Sequence, residues 1–166
     1  PSAHREILER VICRYPMRIN PYYLGLIGEE NDPIYRQCVP DIRELDDAGA
    51  CADPLNEEGH SPVYGLTHRY PDRVLLLVSS ECAMYCRFCN RKRKVGRSAM
   101  VTDTSIEQGI DYIKAHEEVR DVLLSGGDPL LLEDARLREI LSAIYAISHV
   151  EIIRIGTRVP CTLPQR

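Results

Sequence analysis

The first 72 residues and the rest of the chain differ in their hydrophobic pattern. Near the start, apolar residues at positions 7, 8, 11 and 12 predict an amphipathic helix, with Ser2 as its cap and Tyr15-Pro16 as its end. The Asn20-Pro21 and Asp32-Pro33 pairs predict two short helices, over 21–27 with Gly28 as the stop and over 33–38. Residues 39–72 lack a period and are rich in Pro and Gly, which indicates an extended arm.

From residue 73 onward, apolar runs alternate with helical patterns. The runs at 74–78, 121–125 and 151–155 predict strands, and the first is continuous, as in a strand buried on both faces of a parallel sheet. Thr104-Ser-Ile-Glu107 fits a capping box before a helix with Ile106, Ile110 and Ile113 on one face, and 133–147 shows the same period. This β-α-β-α-β order predicts an α/β fold with parallel strands.

The pattern therefore divides the chain into a helical and extended N-terminal arm, 1–72, and a second part, 73–166, in which parallel strands alternate with helices. Three strands cannot close a barrel, and the sequence stops at 164–166 without a terminating feature. We expect the fold to be a truncated part of a larger one.

Composition and charge argue against several classes of protein. The 166 residues carry a net charge of −4, and 44 % are hydrophobic while 28 % are charged, which argues against disorder and coiled coil. The longest apolar run is far shorter than the roughly 20 residues that a bilayer requires, and no leader opens the sequence. We expect a cytoplasmic protein without a membrane partner. Seven cysteines in such a protein favour metal or redox use over disulfides.

Each predicted strand is followed by a loop of distinctive sequence, and in parallel α/β folds these loops share the edge that carries the active site. The first loop contains Cys82, Cys86 and Cys89, the second Gly126-Gly-Asp-Pro129 and the third Gly156-Thr-Arg158. Three thiolates at this spacing can converge on one metal centre. Structural zinc sites are closed by four ligands, whereas iron–sulfur clusters are held by Cys thiolates, so three ligands favour a cluster with one open iron.

Several of these patterns have simpler alternatives. His68 or His60 could complete a Cys₃His zinc site. The two glycines before Asp128 let the backbone approach a ligand closely, but a plain turn uses the same residues. Six basic residues between 87 and 97 are typical of a solvated or nucleic-acid-facing surface, but the negative overall charge argues against a nucleic-acid partner. The remaining cysteines lack ligand spacing and are interpreted as buried small residues or surface thiols: Cys13, Cys38, Cys51 and Cys161.

The cysteine motif is similar to that of the radical S-adenosylmethionine (SAM) superfamily, and the segments around it resemble the lysine 2,3-aminomutase family. The resemblance rests on residues 16–23, 61–74, 82–93, 124–130, 154–158 and 163–166, so it covers nearly the whole chain. It implies that residues 73–166 are the first part of a radical SAM (βα) barrel, a partial barrel in which the three cysteines hold a [4Fe-4S] cluster and SAM binds the open iron. It also implies that Gly126, Gly127 and Asp128 meet the amino group of SAM.

The resemblance implies roles for four more residues. Phe88 would lie near the adenine, at a position where the family usually has His, although it could also be an ordinary core residue. Arg91 would bind the substrate carboxylate. Arg69 and Arg73 would bind pyridoxal 5′-phosphate (PLP), with a structural salt bridge as the alternative.

The implied enzyme is a PLP-dependent 2,3-aminomutase, an isomerase that moves an amino group from Cα to Cβ of a small amino acid by means of a 5′-deoxyadenosyl radical. Such a reaction needs a Schiff-base lysine. Lys92, Lys94 and Lys114 do not match the family's position, so we expect that lysine beyond residue 166 and an inactive fragment, with no catalytic residue assigned here.

A reductant such as flavodoxin or ferredoxin and a homo-oligomer are expected as partners. Asn90 and Lys94 depart from the commoner family pattern, so glutamate or another amino acid is open as substrate beside lysine. Two other functions stay open: a related enzyme that acts on a protein lysine, and a non-enzymatic zinc-binding or RNA-contacting module.

Overall fold

A computed structural model of the chain describes residues 3–46, 49–97 and 100–166. The predicted N-cap Ser2 lies outside these residues. The helices are α1 (Ala3–Arg14), α2 (Pro21–Leu24), α3 (Pro33–Cys38), α4 (Asp103–Ala115), α5 (Asp134–Tyr145) and α6 (Val159–Thr162). The strands are β1 (Leu66–Tyr70), β2 (Arg73–Ser79), β3 (Asp121–Gly126) and β4 (Ile152–Ile155). Short 3₁₀ turns lie at Ile42–Leu45, Glu58–His60 and Pro129–Leu131.

The four strands form one sheet in the order β1-β2-β3-β4. The three predicted strands β2, β3 and β4 are parallel, which confirms the expected α/β class. Strand β1 is an addition that the sequence did not predict, and it pairs antiparallel with β2 through Leu66 and Leu76. It escaped prediction because Leu66 is its one buried residue and polar residues fill the rest of the strand. A strand at the edge of a sheet needs little apolar surface.

Alternate residues of the central strands face the two long helices. Val74, Leu76 and Val78 of β2 and the equivalent residues of β3 form one buried cluster with apolar residues of α4 and α5. The helix lies so close to the sheet that a Cβ added at Gly109 of α4 would be 2.4 Å from Leu76 Cδ1. On the opposite face Leu75 is partly exposed, so the expectation that β2 is buried on both faces is wrong there. The core among the described residues therefore lies on one side of the sheet.

The ends of the helices test the predicted caps. Asn20 and Asp32 cap α2 and α3 as predicted, because their side chains accept from Tyr23 N at 2.9 Å and Tyr35 N at 2.6 Å. Helix α2 nevertheless ends at Leu24 instead of running to 27, with Gly25 rather than Gly28 as its C-cap.

Helix α4 begins two residues earlier than predicted. Its N-cap is Thr102, whose side chain accepts from Ser105 N at 3.1 Å, while Ser105 Oγ accepts from Thr102 N at 3.0 Å. The predicted box between Thr104 and Glu107 is therefore wrong, since a Ser in place of the usual Glu or Gln completes the box upstream.

A second, smaller core joins the arm to the loop after β2. Tyr23, Cys38 and Met84 are buried together, with Ile34 and Cys86 packed against them. The arm thus supplies the apolar support of the segment that carries the cysteines. No helix in the described part of the chain is long and apolar enough to cross a membrane.

Candidate functional site

The loops after β2 and β3 are joined at the carboxyl edge of the sheet. Gly127 N donates to Ser79 O at 2.6 Å, and Asp128 N donates to Glu81 O at 2.7 Å. An added Cβ would lie 2.2 Å from Ser79 O at Gly126, where φ is +126°, and 2.3 Å from Glu81 O at Gly127. Both positions need glycine because two loops of the protein touch there. The close approach that the sequence predicted toward a ligand is therefore, in the structure, an approach to the start of the cysteine loop.

Asp128 joins this edge to the loop after β4. Its buried carboxylate accepts from Thr157 Oγ1 at 2.7 Å, from Arg158 N at 2.7 Å, from Leu130 N at 3.1 Å and from Val159 N at 3.2 Å. These donors engage both oxygens of the side chain. Asp128 thus lies at the predicted edge of the sheet. Its hydrogen bonds hold the loop after β4 beside the loop after β2.

The cysteine loop, residues 80–90, has no helix or strand and is held from outside by the arm. Tyr85 N donates to Arg18 O and Arg87 N to Gln37 O, both at 2.9 Å, and Asn20 Nδ2 reaches Ala83 O at 3.2 Å. These bonds cross more than 40 residues of sequence and satisfy loop amides that would otherwise lack partners. The N-terminal arm is therefore part of the scaffold of the site.

The three cysteines of the loop are unpaired and partly exposed. Burial, followed by the charges of Asp128, Cys89 and Cys86, raises the pKa of Cys82 to about 12. Burial also raises the pKa of Cys89, although Arg91 N, which donates to its sulfur at 3.3 Å, acts in the opposite direction. Burial thus disfavours the thiolate forms of Cys82 and Cys89 in the absence of a metal. A metal that binds them must displace their protons.

This donor set fits an iron–sulfur cluster better than a closed zinc site. Thiolates are the ligands of such clusters, and each thiolate occupies a different iron, so the sulfurs do not have to meet at one ion. In the described ranges, no group of three or more His, Cys, Asp or Glu side chains is arranged to hold a single metal ion. His68 faces Tyr112 Oη at 2.9 Å and His60 faces Asn56 O at 2.8 Å, so neither completes a zinc site with the cysteines.

The basic segment after the cysteines is neutralised by the arm. Glu44 binds both Arg87, at 2.8 Å, and Lys92, at 3.3 Å. Arg93 pairs with Asp53 at 2.9 Å. The sequence suggested a solvated or nucleic-acid-facing surface because the acidic partners lie more than 30 residues away along the chain. The interpretation as a solvated or nucleic-acid-facing surface is wrong for Arg87, Lys92 and Arg93. Their charged groups form ion pairs with acidic residues of the arm.

Arg91, the predicted ligand of the substrate carboxylate, already binds one carboxylate of the protein. Its Nε donates to Glu57 Oε1 at 2.8 Å and its Nη2 lies 2.6 Å from the same oxygen, while Nη1 donates to Ser125 Oγ at 3.3 Å. The side chains of Glu57 and Arg91 are only 6 % and 18 % exposed. Ser125 is in β3, so this pair places the guanidinium at the edge that carries the cysteine loop.

The structure does not bring Arg69 and Arg73 to the cysteine loop. Arg73 is the first residue of β2 and its Nε donates to the buried Asp121 at 2.7 Å, at the amino end of the parallel strands. Arg69 lies on β1 at that same end, where its Nη1 is 3.4 Å from Leu55 O. Arg73 thus makes the structural salt bridge that was the alternative to PLP binding. PLP binding by these two arginines stays a prediction.

Phe88 is 61 % exposed, so the alternative that it is a core residue is wrong. The guanidinium carbon of Arg158 lies 5.2 Å from the centre of its ring. Its predicted contact with adenine stays a prediction. The other four cysteines fit the expectation for them, since Cys38 is buried and Cys13, Cys51 and Cys161 are exposed.

Sequence reasoning missed several residues that shape the site. Arg158 belongs to the third loop named from the sequence, and its place after a predicted strand at the same edge as the cysteines is the signal that could have assigned it a role. Gln37, Glu44 and Glu57 could not have been found, since they come from aperiodic or short segments of the arm with no motif around them.

Comparisons with known proteins show which proteins this chain is similar to. The profile of the Radical SAM superfamily matches residues 76–165. The chain is 54 % identical over 164 residues to L-lysine 2,3-aminomutase of Methanococcus maripaludis, which covers 96 % of this chain and 38 % of the relative. It is 52 % identical over 165 residues to L-lysine 2,3-aminomutase of Acetoanaerobium sticklandii, covering 97 % of the chain and 40 % of the relative.

A relative with a different printed substrate is also similar. Glutamate 2,3-aminomutase of Clostridioides difficile is 44 % identical over 168 residues, covering 99 % of this chain and 40 % of the relative. The chain thus spans about two fifths of the length of these relatives. With the cysteine loop placed at the carboxyl edge of a parallel sheet and the superfamily profile matched over more than half its length, the chain belongs to the radical SAM superfamily.

Proposed function

We propose that the protein containing this chain is a PLP-dependent radical SAM 2,3-aminomutase that moves the α-amino group of a small amino acid to its β-carbon. The observation that carries the proposal is the identity of more than half with proteins named L-lysine 2,3-aminomutase, spread over almost the whole chain. The chain would supply the site for the cluster and SAM, while the rest of the full-length protein would complete the substrate site.

In this proposal Cys82, Cys86 and Cys89 hold the [4Fe-4S] cluster, which fits their shared, partly buried loop. When bound, the cluster and SAM would supply one-electron radical chemistry, and PLP would supply the electron sink for chemistry at the amino group. The protein's part is to position these groups and exclude water. The arm positions the cysteine loop through its hydrogen bonds to the backbone N–H groups of Tyr85 and Arg87.

The segment Gly126–Asp128 would face SAM mainly with its backbone. The Asp128 carboxylate is already used by four donors within the chain. We therefore assign Asp128 to shaping the pocket, by holding the loop that contains Arg158, and leave the contact with the SAM ammonium to the backbone around Gly126 and Gly127. Phe88, exposed beside this loop, remains the residue proposed for adenine.

Arg91 would bind the substrate carboxylate with the part of its fork that Glu57 and Ser125 do not use. A guanidinium carries five N–H groups, and the bonds to these two residues occupy three of them. One N–H on each terminal nitrogen is left, which suits a second carboxylate bound end-on. Glu57 would thus orient Arg91 rather than compete for it.

The proposed PLP site draws on this chain and on the rest of the full-length protein. Arg69 and Arg73 are proposed for PLP, whereas the Schiff-base lysine would come from elsewhere in the full-length protein. Of the lysines here, Lys92 and Lys94 pair with glutamates of the arm, and Lys114 pairs with Asp111 on the surface of α4.

The proposed enzyme is a homo-oligomer that receives its electron from a flavodoxin or ferredoxin. It would work in the cytoplasm, whose reducing character suits seven free thiols.

The full-length protein, reconstituted anaerobically with iron and sulfide, tests the proposal. We expect about four irons per chain, a broad absorption toward the blue end of the visible spectrum, and a spectral change when SAM is added. With SAM, PLP and a reductant, L-lysine and L-glutamate are then supplied separately, and the product is assayed for a β-amino acid. Tight zinc uptake without iron incorporation, or a loaded enzyme that converts neither amino acid, would contradict the proposal.

A further inference from the structure

One of the three cysteine sulfurs receives a guanidinium from a distant part of the chain. Arg158 Nη1 donates to Cys86 Sγ at 2.6 Å, across 72 residues of sequence. Arg158 belongs to the loop after β4, and Cys86 to the loop after β2. The contact therefore exists because parallel strands bring their carboxyl ends to one edge.

Three independent contacts fix the arginine. The Asp128 carboxylate accepts from Arg158 N at 2.7 Å and sets the backbone. Gln37 Oε1, from helix α3, accepts from Arg158 Nη2 at 3.0 Å and sets one arm of the fork. The ring of Phe88 lies 5.2 Å from the guanidinium carbon and covers it on one side. A guanidinium held in this way is pre-organised toward the sulfur.

The surroundings of the other two sulfurs differ. Cys82 lies near the carboxylates of Asp128 and Glu81, and the sulfur of Cys89 accepts from the backbone N–H of Arg91. Among the described residues, Cys86 is thus the cysteine of this loop that receives a charged side-chain donor. The positive charge is placed at one corner of the site.

We propose that Arg158 raises the reduction potential of the cluster by its charged hydrogen bond to Cys86, an inference that rests on the proposed function. Hydrogen bonds to ligating sulfurs and the local net charge are the two levers by which a protein sets such potentials. A cationic donor withdraws electron density from the thiolate and stabilises the state with one more electron. Arg158 is a positioning residue here, since it acts on the cluster through Cys86.

The test compares three forms of the full-length protein: the unchanged protein, Arg158→Gln and Arg120→Gln. Arg120 is a matched control because it also loses one positive charge, from exposed pairs with Asp72 and Glu151 at the amino end of the sheet. The potential is read from an anaerobic redox titration followed by the electron paramagnetic resonance of the reduced cluster. We expect Arg158→Gln to lower the ratio of reduced to oxidised cluster about tenfold at fixed potential, equal to about 59 mV for one electron. Arg120→Gln should leave it unchanged.

The outcomes separate this inference from the proposed function. If the unchanged protein takes up no cluster, the proposed function fails. If the unchanged protein and Arg158→Gln both load four irons and titrate at the same potential, the role of Arg158 is overturned. A weaker affinity for SAM at an unchanged potential would likewise overturn it, because Arg158 would then serve SAM instead of Cys86.

A second variant covers the case in which Arg158→Gln fails to take up iron. Arg158→Lys keeps the charge but replaces the planar fork by a compact ammonium, which cannot reach Cys86 and Gln37 with the same geometry. We expect a smaller drop of the potential in the same direction. A loaded Arg158→Lys protein with the potential of the unchanged protein overturns the inference.

Discussion

Arg87 and Glu44 form a two-pronged ion pair that joins the cysteine loop to the N-terminal arm. Arg87 Nε donates to Glu44 Oε1 at 3.0 Å and Nη2 to Oε2 at 2.8 Å, and the two side chains are only 7 % and 12 % exposed. Arg87 Nη1 also donates to Pro16 O at 2.9 Å. Because Arg87 follows Cys86 directly, this pair fixes the middle of the cysteine loop.

Removal of the Glu44 carboxylate should destabilise the protein. Glu44→Ala leaves the buried Arg87 without its counter-charge, so we expect a loss of about 3–5 kcal/mol in the free energy of unfolding. Arg5→Ala, which removes an exposed helical pair with Glu9, should cost about 0.5 kcal/mol. Denaturant unfolding of the full-length protein measures both. Equal effects of the two substitutions would show that the Arg87–Glu44 pair is not structural.

The two glycines that touch the cysteine loop should not tolerate a methyl group. Gly126→Ala and Gly127→Ala each place a Cβ within 2.3 Å of a backbone oxygen, so the loop must move, at a cost of about 3 kcal/mol. We expect the iron content after reconstitution to fall. Gly49→Ala is the control, since an added Cβ there meets nothing within 4 Å. Full iron loading of both loop variants would contradict the prediction.

Asp128 should matter for the fold even without SAM. Asp128→Ala leaves three backbone N–H groups and the Thr157 hydroxyl without their acceptor, which should cost about 3 kcal/mol. Thr157→Val removes one of these donors and should cost about 1 kcal/mol. Unfolding of the protein before reconstitution, with no cofactor present, gives both values. A full-stability Asp128→Ala protein that binds SAM weakly would instead assign the residue to SAM alone.

Arg91 and Glu57 should affect substrate binding more than cluster binding. Arg91→Lys loses the planar fork that holds Glu57 and, in the proposed function, the substrate carboxylate, so we expect kcat/KM to fall about 100-fold, mainly through KM. In Glu57→Gln we expect a smaller fall of kcat/KM, because the amide oxygen still accepts from Arg91 although the negative charge is lost. Steady-state kinetics of the loaded full-length enzyme, with iron content as the control, measure this. An unchanged KM in Arg91→Lys would remove Arg91 from the substrate site.

Local sequence predicted the parts whose causes are local. The caps of α2 and α3 follow from Asn20 and Asp32 placed before proline. The parallel strands follow from short apolar runs separated by helical periods. The early start of α4 at Thr102 and the edge strand β1 were missed, since Ser105 is an unusual partner in a capping box and β1 buries a single residue.

The sequence by itself determined the α/β class and placed three thiols in one loop after a strand, because residue spacing alone dictates both. Only the tertiary structure decided what each charged residue does. It turned the basic segment inward onto Glu44 and Glu57, committed the Asp128 carboxylate to loop contacts, and placed Arg158 on Cys86. Partners of this kind lie 30 to 72 residues apart along the chain, and nothing in local spacing encodes which distant segments the packed sheet brings to one edge.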